Sequence, residues 1–155
     1  MRHFESLEAL KQCVGMEVGV SEWITVDQAR IDKFAEATGD FNWIHVDTER
    51  AAQGPFGKTI AHGFLTLSLL PMLAQTALTV GNVKLAINYG LNKVRFPAPV
   101  RVDSRLRGTV KLLGMEDVAP IDGNPGHQIT FGVTIECEGG AKPVCIAENV
   151  QRRYG

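Results

Sequence analysis

Cysteine is scarce in this chain. Its 155 residues hold three, Cys13, Cys137 and Cys145, and no two form a C-x-x-C pair. An odd, scattered set does not build a disulfide framework, so a reducing compartment is expected. Charge of one sign is missing too. Sixteen Lys and Arg oppose 17 Asp and Glu, for a net charge of -1. No field of that size draws in nucleic acid or an anionic membrane. The basic group Arg101, Arg105 and Arg107 alternates with apolar residues, as an exposed strand face would. The N-terminus, MRHFESLEALKQ, has no apolar run and does not read as a signal peptide. The expected location is therefore cytoplasmic. There is no G-x-S-x-G, no H-E-x-x-H, no EF-hand loop and no glycine-rich phosphate loop. These absences argue against a serine hydrolase, a zinc protease, a calcium module and a nucleotide-binding domain.

What is present is an ordinary globular composition, 45% hydrophobic and 21% charged. The length suits one domain, residues 1–155, with its own core. Residues 64–80, FLTLSLLPMLAQTALTV, carry no charge. Seventeen residues with an internal proline and several polar groups fit a helix buried inside a domain better than a membrane span. Residues 18–26 read as a first strand. In TVDQARIDKFAEATG, Thr25 and Gln28 have capping-box spacing, Ile31, Phe34 and Ala35 form a stripe, and Gly39 fits a helix stop. Asp47 caps a short helix through Ala52. After residue 80 the apolar period changes from 3.6 to 2. Leu85, Ile87, Tyr89 and Leu91 alternate, then the phase slips between Gly90 and Lys93 and predicts a bulge. Further alternating runs cover 105–112, 129–137 and 145–152, with a turn at Gly139-Gly140. One strand, then helices, then a meander predicts an α+β domain with an antiparallel sheet. A curved sheet wrapped around the long apolar helix is the hot-dog fold.

The chemistry concentrates in residues 38–46, TGDFNWIHV. Asp40 lies just past a helix stop and His45 lies five residues on. A turn lets both side chains enter one cavity. A carboxylate and an imidazole there can hold a water and pass protons both ways. Phe41 and Trp43 are expected to keep other water out and to shift both pKa values toward neutrality. Asn42 can orient a neighbour without adding charge. The plainer reading is that Asp40 is a turn residue and His45 a satisfied histidine. Asp40, Asn42, His45 and Asp47 match no metal-ligand spacing, so no metal is expected. The second constellation is IAHGF, residues 60–64. A glycine opening a buried helix leaves backbone N–H groups free and lets a ligand come close. Those groups suit a carbonyl oxygen gaining negative charge. The plainer reading is a simple helix start.

Taken together, FAEATGDFNWIHVD, IAHGFLTLSLL and the downstream LAINYGLNKVRFPAPV resemble the MaoC-like dehydratase family, the (R)-specific enoyl-CoA hydratases, over nearly the whole chain. The resemblance is nearest to single-domain, nodulation-protein-N-like members. It implies a hot-dog homodimer whose two sheets join. It implies a trans-2-enoyl-CoA substrate hydrated to the (R)-3-hydroxyacyl-CoA, with coenzyme A as part of the substrate and no other cofactor. Asp40 and His45 would be the catalytic pair, Asn42 their support, and the Gly63 N–H the donor to the thioester carbonyl. Ile60, Ala61, His62, Trp43 and the strand residues Ala86, Ile87, Asn88 and Tyr89 would border the substrate. An apolar tunnel along the helix would take the acyl chain, and Lys58, Lys93 and Arg95 would face the phosphates. The sequence departs from the family in carrying Trp43 where proline often follows the asparagine, and Pro71 where some members carry serine. Two other functions compete. A thioesterase of the same fold places an acid on the central helix, and residues 64–80 contain none. A non-catalytic acyl-CoA binding module would not need Asp40 and His45.

Overall fold

A computed structural model describes residues 1–155. In chain order the elements are β1 (Arg2–Phe4), α1 (Leu7–Lys11), β2 (Glu17–Val20), β3 (Ile24–Val26), α2 (Gln28–Thr38), α3 (Trp43–Val46), α4 (Thr48–Ala52), α5 (Gly63–Ser68), α6 (Leu70–Ala77), β4 (Leu78–Val80), β5 (Leu85–Arg95), β6 (Ser104–Ile121), β7 (Asn124–Cys137) and β8 (Cys145–Tyr154). The antiparallel sheet runs β2-β6-β7-β8-β5, with β3 also paired to β6. It curves around α5 and α6, as the hot-dog fold requires.

Alternation explains the long strands. On β7, Ile129, Phe131, Val133 and Ile135 are buried, and their sequence neighbours lean outward. Leu73 on α6 is buried against the sheet and packs onto Gly108 of β6. The predicted slip on β5 is real: its register against β8 shifts between Asn88 and Gly90 and again between Leu91 and Val94. Gly39 ends α2 in the left-handed region, φ 77°, a backbone that glycine adopts without strain.

Several boundaries differ from expectation. The apolar helix of 64–80 is two segments, α5 and α6, with a turn at Leu69. Pro71 has no N–H to bond back into the preceding turn, which accounts for a break here. The helix also stops at Ala77, because residues 78–80 pair in parallel with β1. The first strand is likewise split into β2 and β3. The α2 cap is Asp27, whose Oδ1 accepts from Arg30 N–H at 2.9 Å, rather than Thr25. Gln28 is thereby freed for another task.

Candidate active site

Asp40 follows directly on the left-handed Gly39, where the chain leaves α2. Its Oδ1 accepts from the Asn42 N–H at 3.3 Å, and Asn42 Oδ1 accepts from the Ile44 N–H at 3.3 Å. Asn42 is thus the N-cap of α3, a one-turn helix where the sequence predicts a turn. That turn carries His45 inward, leaving it 7% exposed. The Asp47 cap of α4 is as expected, accepting from Arg50 N–H at 2.9 Å.

Residues 59–62 form a strap across this turn. The Ile60 N–H donates to the Ile44 carbonyl at 3.0 Å. On its other side the strap bonds residues 100–102: Ala61 N–H to Val100 O at 2.7 Å and Val102 N–H to Thr59 O at 2.9 Å. His45 Nδ1–H donates to the Ile60 carbonyl at 2.7 Å. A carbonyl only accepts, so Nδ1 holds the proton and Nε2 keeps a lone pair. Burial pushes the His45 pKa below its ordinary 6.5, against the Ile60 hydrogen bond, which raises it. The base form is therefore favoured.

Gln28 ties the scaffold together. Its Nε2 donates to the His45 carbonyl at 2.8 Å and to Asp32 Oδ1 at 2.7 Å, and its Oε1 accepts from Thr59 Oγ1 at 2.6 Å. His62, at the N-cap of α5, donates through Nε2–H to the Asp40 carbonyl at 3.0 Å and stacks on the His45 ring at 3.8 Å. Asp40, His45 and His62 offer ligand-type atoms that all lie within 4.8 Å of one another. A tetrahedral zinc with bonds near 2.1 Å sets its ligands about 3.4 Å apart, so this trio would have to contract to hold one.

A cavity of about 380 Å³ opens beside His45, lined also by Phe56, Ile60, Ala61, Gly63, Thr66, residues 96–100 and Val144, while Asp40, expected to enter the same cavity, is not among its lining residues. Gly63 has no backbone acceptor for its N–H. Phe96 closes over it so nearly that an added methyl would lie 3.0 Å from the ring. The apolar wall is built differently from the one the sequence suggested. Phe41 is 58% exposed, and Trp43 packs at Gly54 with the Arg50 guanidinium 4.3 Å over its ring. Phe56, Phe96, Pro97 and Pro99 line the cavity instead.

The strand residues lie elsewhere. Asn88 and Tyr89 line a groove of about 430 Å³ beside Leu67, Ser68, Leu70 and Pro71. Ala86, Ile87 and Asn88 line a second, of about 280 Å³, with Gln75, Gln151 and Arg153. These grooves follow the helices but are not wholly apolar as the tunnel was expected to be. Of the basic residues, Lys58 sits in a recess with Arg101 and Asp103, Lys93 pairs with Glu148 at 3.3 Å, and Arg95 turns back to the Val94 carbonyl. None of the three lines the Gly63 cavity. No helix is long and apolar enough to cross a membrane.

Residues 9–130 match the family described as MaoC like domain. The chain is 58% identical over 152 residues to 3-hydroxyacyl-thioester dehydratase Z of Mycobacterium tuberculosis, covering 98% of each chain. It is 44% identical over 147 residues to nodulation protein N of Rhizobium leguminosarum bv. viciae, covering 94% of this chain and 89% of that one. Among solved structures it resembles R-hydratase PhaJ1 from Pseudomonas aeruginosa, with TM-score 0.68 and 25% identity, over 89% of this chain and 79% of that one. A hot-dog sheet, a buried histidine with a free Nε2 and a match over most of its length lead to one assignment: the chain belongs to the MaoC-like dehydratases, a family of hydro-lyases.

Proposed function

We propose that the chain is an (R)-specific enoyl-CoA hydratase, interconverting trans-2-enoyl and (R)-3-hydroxyacyl thioesters. The observation that carries this is the His45 tautomer: Nδ1–H fixed on Ile60 O, Nε2 free, beside Asp40 and a cavity shared with Gly63. The relative named as a 3-hydroxyacyl-thioester dehydratase supports the same substrate class.

The reaction needs a water held between Asp40 and His45 Nε2. As the water oxygen bonds to C3, one of its protons passes to the pair, and a proton returns to C2. Charge builds on the thioester oxygen meanwhile, and in this reading the Gly63 N–H, which has no backbone acceptor, donates to it. Dehydration is the same path reversed. Coenzyme A enters as part of the substrate, and no cofactor or metal is required.

The same reading pairs β5 with β5 of a second copy. β5 is a long edge strand that exposes Leu85, Ile87, Tyr89 and Leu91, an edge that soluble proteins cover. The three cysteines are free, in keeping with a reducing cytoplasm.

The test is turnover of crotonyl-CoA, followed by loss of the enoyl-thioester absorbance, with chiral analysis of the product. (R)-3-hydroxybutyryl-CoA is expected. Asp40→Asn should lower kcat by about 10²–10⁴-fold while acyl-CoA still binds. Release of free coenzyme A would move the reading to a thioesterase. Binding without turnover on crotonyl and longer enoyl thioesters would move it to a binding module.

A further inference from the structure

We propose that His62 is a positioning residue that joins Asp40 to His45. The inference rests on the catalytic reading of that pair. His62 directly precedes Gly63 and is 3% exposed. Packing alone does not account for a histidine here. Its Nδ1 is the one buried side-chain polar atom in the chain with no hydrogen-bond partner. A polar atom buried without a partner is destabilising, and an apolar ring would avoid it.

Two contacts explain what the ring does. Nε2–H donates to the Asp40 carbonyl at 3.0 Å, across 22 residues of sequence. One ring face lies on His45, centroids 3.8 Å apart and planes 26° apart. Phe34 packs at 5.0 Å and limits the ring's freedom. His45 is already fixed by the Ile60 carbonyl and by Gln28. Asp40 is not. It is exposed, just beyond the end of α2, and its carboxylate bonds only the amide two residues on. The His62 bond is the tether that brings an exposed carboxylate segment to a buried imidazole. The two groups must share one water, so a shift of the Asp40 backbone opens the gap between them.

Two variants separate the tether from packing. His62→Phe keeps an aromatic ring against His45 and removes the donor. His62→Gln keeps a donor and removes the stack. The expected result for His62→Phe is an unchanged or raised Tm, kcat lower by about 10–100-fold, and KM within about threefold. His62→Gln should recover part of kcat even if its Tm falls. The deciding measurement is a double-mutant cycle with Asp40→Asn. If His62 acts through Asp40, the Asp40→Asn loss in the His62→Phe background is at least about tenfold smaller than in the wild-type enzyme. Independent, multiplying effects would overturn the proposal, as would a His62→Phe kcat within twofold of wild type. A kcat loss that follows Tm across both variants would also overturn it, leaving a packing role. An Asp40→Asn enzyme with full turnover would instead refute the catalytic reading beneath it.

Discussion

Replacing Gly63 with alanine tests the carbonyl seat most directly. An alanine Cβ would stand 3.0 Å from Phe96 Cδ2, 3.1 Å from Cε2 and 3.2 Å from Cγ. That is tighter than ordinary contact, so one partner must move. Phe96 is 41% exposed and meets Phe64 edge-on at 6.3 Å, so its ring has room to tilt. The stability cost then falls at the low end of overpacking, about 1 kcal/mol, or about 2–4 °C in Tm for a domain of this size. The cost in rate should be larger. Alanine keeps the N–H, but its methyl occupies the space the thioester oxygen needs to reach it. A displacement of about 1 Å at such a donor costs on the order of 10²-fold. We expect kcat/KM on crotonyl-CoA to fall by about 10²-fold with only a small drop in Tm. Phe96→Ala on the same background should recover the Tm and leave the rate low. If Gly63→Ala keeps kcat/KM within about threefold of wild type, the Gly63 amide does not seat the carbonyl. If the double variant regains full rate, the displaced Phe96 ring caused the loss, and again the Gly63 amide does not seat the carbonyl.

Further outcomes follow from the same geometry. His45 has its pKa lowered by burial, so the acid limb of kcat/KM should lie below pH 6.5, and a limb at or above that value would refute a buried base. The same shift fixes the sign for stability. Between the folded and unfolded pKa values the unfolded chain holds the extra proton, so the His45 contribution is whole above about pH 6.5 and declines as pH falls; denaturant titrations from pH 7.5 to 5, compared with His45→Gln, check this. Ile87→Lys places a charge on the exposed β5 edge and should convert a dimer to a monomer by light scattering, whereas a wild-type monomer at micromolar concentration would refute pairing there. Leu73→Ala removes a fully buried side chain at the contact between α6 and β6 and should cost about 2–5 kcal/mol in urea denaturation.

The meander was readable because each strand buries one face, and burial on one face writes itself as alternation. Residues 129–137 show this most plainly. Gly39 and Asp47 were readable for a similar local reason: a cap is chemistry between near neighbours. The misreadings share an opposite cause. Residues 78–80 look like more apolar helix, and only their pairing with β1, more than 70 residues away, makes them a strand. β6 continues to Ile121, well past its alternating core, because β7 runs beside it as far as Asn124. One local signal was there and was missed. Asp122-Gly123 joins the two longest strands with both residues at positive φ, 49° and 77°, the backbone of a tight hairpin. In the site, Asp40, His45 and Gly63 stand out by residue type and spacing. The side toward which Phe41 and Trp43 turn does not, because a one-turn helix rotates each residue by about 100° and its presence hung on the Asn42 cap. The partnership of His62 with both members of the pair was also hidden, since no spacing rule links a helix N-cap to a carbonyl 22 residues earlier.

If Asp40 and His45 carry the proton chemistry, the scaffold holds it apart from the grooves that would select the acyl group. His45 hangs on backbone and amide bonds: Ile60 O to its ring, Gln28 to its carbonyl, and Thr59 to the same Gln28. The strap that supplies Ile60 and Thr59 is itself pinned to residues 100–102 by main-chain bonds. Backbone bonds do not depend on which side chains fill the core, so they survive substitution nearby. The grooves beside α5 and α6 have no such fixity. They are lined by side chains of β5, β8 and the helices, among them Asn88, Tyr89, Asn149, Gln151 and Arg153, and any of these can change without moving the strap. Substitutions in the grooves should therefore shift which acyl groups are accepted, through KM and chain-length preference. Substitutions at Thr59 or Gln28, which act through their side chains, should lower kcat for every acyl group alike.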